Sequence, residues 1–341
     1  MSLVLIASER FADHQTPPGH PESPARAQVM DDVAGEWRAA GNLVTLPREV
    51  THDELALVHD EAYLRQLAAL AGRSAALDAD TFTSPESIGI ARLAAGAAVG
   101  AVELAMSERG TRALVLARPP GHHAERDRAM GFCFYNSISV AAAVARKAGA
   151  ARVAIVDYDV HHGNGTQHIF EHDPAVLYVS VHQYPFYPGT GAAMEVGIGK
   201  GAGFTVNVPV EMGATDDDYR VVSEKVIIPV LMQFKPELLL VSAGFDAHER
   251  DPLGNMRVTT EGFGAMTMDL CRVADECCDG RLVALLEGGY DLDALRACAM
   301  CVTDVLSGRP APAWPTSGLK SSRGETSVKQ TMAAQAAYWK L

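Results

Sequence analysis

The chain has 341 residues, 48% of them hydrophobic and 21% charged, with a formal net charge of −13 and a mean hydropathy of +0.02. Such a chain is expected to be a soluble globular protein with a large core, long enough for one α/β domain and a tail. Its acidity (pI about 5.3) would repel a polyanion, so direct nucleic-acid binding is disfavoured, whereas amines and lysine-containing peptides suit the field.

In chain order, "LVLIAS" reads as a first strand rather than a signal peptide, because no basic stretch precedes it. No apolar run is read as approaching the ~20 residues of a membrane span. No membrane partner is therefore expected, and the expected compartment is cytoplasmic. A proline-rich loop, "HQTPPGHPESP", leads into a helix in "SPARAQVMDDVAGEWRAAG", bracketed by Ser23 and Gly41. Next come a helix in "PESIGIARLAAGAAVGAVELAM", a strand in "ALVLA" and a helix in "SISVAAAVARKAG". Three strands follow in "RVAIVDYD", "AVLYVSVH" and "TVNVPV". The remainder alternates: helical "DDYRVVSEKVIIPVLMQF", strand "LLLVSAG", helical "EGFGAMTMDLCRVADECC", strand "LVALLEGG" and a closing helix in "DLDALRACAMCVTDVL". This alternation predicts an α/β fold over residues 1–310, with a mainly parallel sheet flanked by helices on both faces. Residues 311–341 read as an irregular tail rich in Pro, Ser and Gly, with a short terminal helix in "TMAAQAAYWKL". The six cysteines show no paired zinc spacing and are expected to be reduced thiols.

Polar clusters follow four of the apolar runs: "RPPGHH" (118–123), "DYDVHHGNG" (157–165), "FD" ending at Asp246, and "GGY" ending at Tyr290. Ligands of open parallel sheets bind beyond the carboxyl ends of the strands, so the four clusters should converge. Side chains at alternate positions of an extended segment share a face, which would group Asp157, Asp159 and His161. Adjacent buried carboxylates repel, and a cation resolves the conflict. Asp159 and His161 suit zinc or a similar divalent metal such as iron, and Asp246 supplies a third ligand while leaving a position open for water. His122 and His123 could add ligands, but neighbouring residues rarely aim at one ion, so acid/base work suits them better. Tyr290 would then be a phenol donor to a developing oxyanion.

Together, "RPPGHH", "GFCFYN", "DYDVHHGNG", "YPGTG", "AGFDAHERDPLG" and "EGGY" resemble, in identity and order, the zinc-dependent histone deacetylase superfamily over about residues 1 to 310. "GHPESPAR" and "HHGNG" look most like its class II and bacterial amidohydrolase members, and acetylpolyamine amidohydrolases share the superfamily. The resemblance implies the arginase-deacetylase fold, with the metal at the strand ends. It implies zinc on Asp159, His161 and Asp246, His123 as general base and acid, and His122 as its electrostatic neighbour. Asp157 would orient His122, and Asn164 would stand beside His123. A structural potassium ion is implied near Asp157, on the carbonyls of Asp159, His161 and Val181 and the hydroxyl of Ser180. Phe132 and Tyr187 would wall an acyl-lysine tunnel, with Gly131, Leu253, Gly288 and Gly289 also contacting substrate. Arg26 would line an inner channel by which acetate leaves.

The implied reaction removes acetyl or other acyl groups from lysine side chains or similar amines. Acetylated polyamines are the alternative substrate: polyamine-selective members of the eukaryotic type carry glutamate in "DPEG", where this chain has "DPLG" with Leu253. Glu22 and Glu249 could still offer a carboxylate near the mouth. An arginase-like ureohydrolase would need a D-x-H-x-D run that is missing here. A non-catalytic acyl-lysine binder would be expected to have lost a ligand, His123 or Tyr290. A homo-oligomer is compatible with the sequence.

Overall fold

A computed structural model describes residues 2–310, 312–316, 318 and 321–341. The strands are β1 (Ser2–Ala7), β2 (Val44–Thr45), β3 (Ala75–Ala76), β4 (Phe82–Thr83), β5 (Thr111–Leu116), β6 (Val153–Asp157), β7 (Val176–Gln183), β8 (Thr205–Val210), β9 (Leu238–Ala243) and β10 (Leu282–Leu286). Eight of them form one sheet in the order β2-β1-β5-β10-β9-β6-β7-β8, every pair parallel. β3 and β4 make a small antiparallel ribbon.

The buried strands alternate their side chains between two cores. Leu5, Leu114, Val156, Leu177, Leu239 and Ala284 face one side, against the helices Pro24–Ala39, Thr260–Cys277 and Leu292–Leu306. Ile6, Val115, Ile155, Tyr178, Leu240 and Val283 face the other, against Ser87–Ser107 and Ser137–Lys147. This two-residue period with both faces covered explains why the strands read as unbroken apolar runs.

Three expectations need correction. Ser87–Ser107 is long and apolar enough to cross a membrane by length and composition, although no such stretch was expected. Here 72% of its most apolar window is buried inside the protein, between strands and the neighbouring helix. The tail is also more ordered than its composition suggests. A helix spans Ser322–Gln335, beginning nine residues before the segment expected to be helical. Its polar face explains the miss: Thr331 Oγ1 donates to the Asn207 carbonyl at 2.8 Å and Gln335 Nε2 to the Thr205 carbonyl at 2.7 Å, so it covers the edge strand β8. Third, β6 stops at Asp157, so "DYD" is not a continuous extended segment. The Asp157 carboxylate accepts the N–H of Asp159 at 3.2 Å and turns the chain there.

Candidate metal centre and active site

The parallel sheet puts the carboxyl ends of β5, β6, β9 and β10 on one rim, and the four polar clusters meet there. In the register, Asp157 at the tip of β6 lies beside Ser180 of β7 and Ser242 of β9.

The turn after Asp157 separates two acidic groups that alternation had placed together. Asp159, His161 and Asp246 each bring one donor atom within 4.8 Å of the others. His161 Nδ1 lies 3.1 Å from Asp159 Oδ1 and 3.1 Å from Asp246 Oδ2. Backbone N–H groups hold the carboxylates in place: Gly288 donates to Asp159 at 2.8 Å and Val160 to Asp246 at 2.8 Å. Glycine is required at 288, because a Cβ there would stand 2.0 Å from Asp246 Oδ2. Asp159 and Asp246 are almost wholly buried, and His161 is 12% exposed. Burial pushes Asp246 up, and the Asp159 charge adds to this, to about 7. Burial pushes His161 down, but hydrogen bonds to the two carboxylates outweigh it and raise the imidazole to about 10. One proton is thus held where a divalent cation would balance two carboxylates, and the donor set fits such a cation.

Asp157 belongs to a different group. Its Oδ2 takes hydrogen bonds from the His122 ring at 3.0 Å and the Tyr178 hydroxyl at 3.0 Å. Burial lowers the His122 pKa, but Asp157 and then Asp159 reverse this and raise it to about 10. His123 is turned the other way: its Nδ1 meets Asn164 Oδ1 at 2.8 Å. Burial, reinforced by His122 and His161, holds His123 well below the usual imidazole range. The surroundings therefore favour the charged form of His122 and the neutral form of His123.

Above the triad lies a cavity of about 200 Å³, lined by His122, His123, His161, Gly131, Phe132, Tyr187, Leu253, Gly288, Tyr290, Asp80 and Pro120. Gly131 has φ +55° and packs so closely that a Cβ would lie 2.5 Å from the His123 ring. Phe132 has φ 69°, rare for a residue with a side chain. Its N–H is tied to Thr81 Oγ1 at 3.0 Å, and His20 packs edge-on at 4.8 Å. The Tyr187 ring stands edge-on to His123 at 5.2 Å and is 39% exposed. Tyr290 packs against Phe132 at 5.9 Å, and burial raises its phenol pKa well above the ordinary value, with Arg26 opposing.

Not every expected residue reaches the cavity. Gly289 does not line it; its carbonyl accepts from Arg26 Nε at 2.8 Å. Arg26 is fully buried, with its guanidinium 5.0 Å from the Tyr290 ring centroid. Glu22 is not near the mouth: it is fully buried between Arg26 at 3.0 Å and Arg118 at 2.7 Å, two cations that make its burial tolerable. Glu249 is exposed and lies outside the cavity lining. Ser180 and Val181 sit on β7, with Ser180 Oγ 2.9 Å from His182 Nδ1. Sequence reasoning missed Asp80 and Pro120. Pro120 lies inside the quoted "RPPGHH", but Asp80 sits in the loop joining β3 to β4, with no local signal that it would reach the site.

The histone deacetylase domain profile matches residues 20–306. A probable deacetylase of Archaeoglobus fulgidus is 38% identical over 296 residues, covering 86% of this chain and 82% of that protein. A histone deacetylase-like amidohydrolase of Pseudomonas aeruginosa is 39% identical, over 85% of this chain and 77% of that one. The human polyamine deacetylase HDAC10 is 40% identical over 86% of this chain but only 45% of its own length. The crystal structure of the HDA15 HD domain superposes with a TM-score of 0.91 at 37% identity, covering 99% of this chain and 95% of that one. With its all-parallel sheet and its Asp-His-Asp cluster at the strand tips, the chain belongs to the histone deacetylase family, whose members are zinc-dependent, and is a deacetylase, a hydrolase of amide bonds.

Proposed function

We propose that this chain removes acetyl or related acyl groups from lysine side chains or similar amines, with one zinc ion held by Asp159, His161 and Asp246. The observation that carries this reading is the grouping of those donors, of which His161 lines a cavity that also presents Tyr290 and the buried His123. A divalent metal there would supply Lewis acidity toward a carbonyl and lower the pKa of a water molecule. Iron(II) would fit the same donors.

The protein's own groups do the rest. His123 takes the proton from the attacking water and returns it to the departing amine. His122, kept charged by Asp157, favours negative charge at the reacting carbon's oxygen, and Tyr290 donates to that oxygen. Phe132 and Tyr187 flank the acyl chain with aromatic faces. Asp80 places a carboxylate on the cavity lining, which suits an amine or a peptide N–H. A structural potassium ion is part of this reading. The carbonyls of Asp159 and His161 accept no hydrogen bond from any donor among the described residues, which leaves them free for a cation beside Asp157.

Acetylated polyamines are the second reading, favoured by the likeness to a protein named as a polyamine deacetylase. Leu253 on the cavity lining argues for acyl-lysine instead, since an apolar side chain cannot hold a distant ammonium. Assaying zinc-loaded protein against acyl-lysine peptides of several acyl lengths and against acetylpolyamines separates the two. The expected result is faster cleavage of the peptides. Cleavage of neither class would overturn the proposal.

A further inference from the structure

The partner of His123 is an uncharged amide, which alone is a weak means of holding an imidazole in one protonation form. The network behind it supplies the missing charge. Asn164 Nδ2 donates to Glu125 Oε1 at 2.6 Å, and the same oxygen lies 2.8 Å from His168 Nδ1, with Arg128 at 3.6 Å. Glu125 is buried, whereas His168 is 37% exposed, so the chain runs from the base to the surface.

From this geometry we infer that Glu125 is a positioning residue that, through Asn164, fixes His123 in the tautomer the reaction needs. The inference rests on His123 being the proton carrier, as read above. A carboxylate accepts hydrogen bonds and donates none. Flipping the Asn164 amide would set its oxygen 2.6 Å from the Glu125 carboxylate, two acceptors in repulsive contact. The nitrogen must therefore face Glu125, and the amide oxygen must face His123. Two weaker contacts at 3.3 Å, to the His123 carbonyl and to Met130 Sδ, favour the same orientation. An acceptor facing Nδ1 requires the proton on Nδ1, which leaves the lone pair of neutral His123 on Nε2. The His168 ring and the Arg128 guanidinium both stand beside the Glu125 carboxylate, and hydrogen bonding from Asn164 to that carboxylate polarises the amide toward the imidazole.

The test moves the charge along the network in the zinc-loaded enzyme. Glu125→Gln, which is isosteric, should lower kcat by about tenfold with KM little changed, the size typical of supporting-residue losses. Asn164→Asp should also be impaired, because it places a second carboxylate against Glu125. Combining Glu125→Gln with Asn164→Asp should raise kcat above that of Asn164→Asp alone, since the charge then sits directly on His123. If Glu125→Gln alone does not fold, the comparison of Asn164→Asp with the double variant still decides. Histidine 15N NMR reads the tautomer without turnover, so it separates this inference from the proposed activity. Wild-type protein should show His123 protonated at Nδ1, and Glu125→Gln should show a mixture. Wild-type kcat in Glu125→Gln, no gain in the double variant, or an Nε2 proton on wild-type His123 would overturn the inference.

Discussion

The rings of His122 and His123 lie 4.1 Å apart, and their surroundings push their proton affinities in opposite directions. Asp157 stands behind the first and an amide behind the second. In the proposed reaction, that contrast would divide electrostatic and proton-transfer work between chain neighbours.

That division has a pH signature. His123 must be neutral to accept a proton, and its folded-state pKa is depressed, so activity is lost only as pH falls through that depressed value. The acid limb of kcat/KM should lie below the ordinary imidazole pKa of about 6.5. His122→Ala removes a neighbouring cation, so the limb should move to higher pH. His123→Ala should lower kcat by roughly 10²–10⁴-fold while bound zinc stays near one equivalent by atomic absorption. Loss of the metal would instead make His123 a ligand.

Tyr290→Phe keeps the ring against Phe132 and removes only the hydroxyl. A donor acting on developing charge contributes in the transition state, so kcat should fall about 10²–10³-fold with a smaller change in KM. Steady-state kinetics on one acyl-lysine peptide measures both, and an unchanged kcat would remove that role.

Leu253→Glu places a carboxylate on the cavity lining. The ratio of kcat/KM for acetylpolyamine over acyl-lysine peptide should rise by about tenfold or more, the scale of one charge-assisted contact. A ratio that does not move would show that position 253 does not select substrate.

The sheet and its strand-tip chemistry were legible in the sequence because both are local: apolar runs end in Asp, His and Gly, and a parallel sheet aligns those ends. Asp246 joins Asp159 and His161 for this reason, although 85 residues separate it from His161. What escaped was set by contacts distant in sequence. Asp80 reaches the cavity from the loop joining β3 to β4, and Glu22 is buried because Arg118 arrives from 96 residues away. The helix Ser322–Gln335 has no strong apolar stripe, since it binds the sheet edge through Thr331 and Gln335.

Because that helix covers β8, deleting residues 322–341 should destabilise the whole sheet. It removes the two hydrogen bonds to β8 and that of Trp339 Nε1 to the Gly203 carbonyl at 2.7 Å. At about 1 kcal/mol each, their loss alone predicts a Tm about 4 °C lower by calorimetry, with self-association through the bared edge. An unchanged Tm would show that the tail is dispensable to the fold.

The most direct measurement is anomalous diffraction from crystals of the zinc-loaded protein, collected on either side of the zinc absorption edge. One dominant zinc peak is expected, within bonding distance of Asp159, His161 and Asp246. An active crystal whose peak lies elsewhere, or those three side chains turned away from one another around no metal, would contradict it.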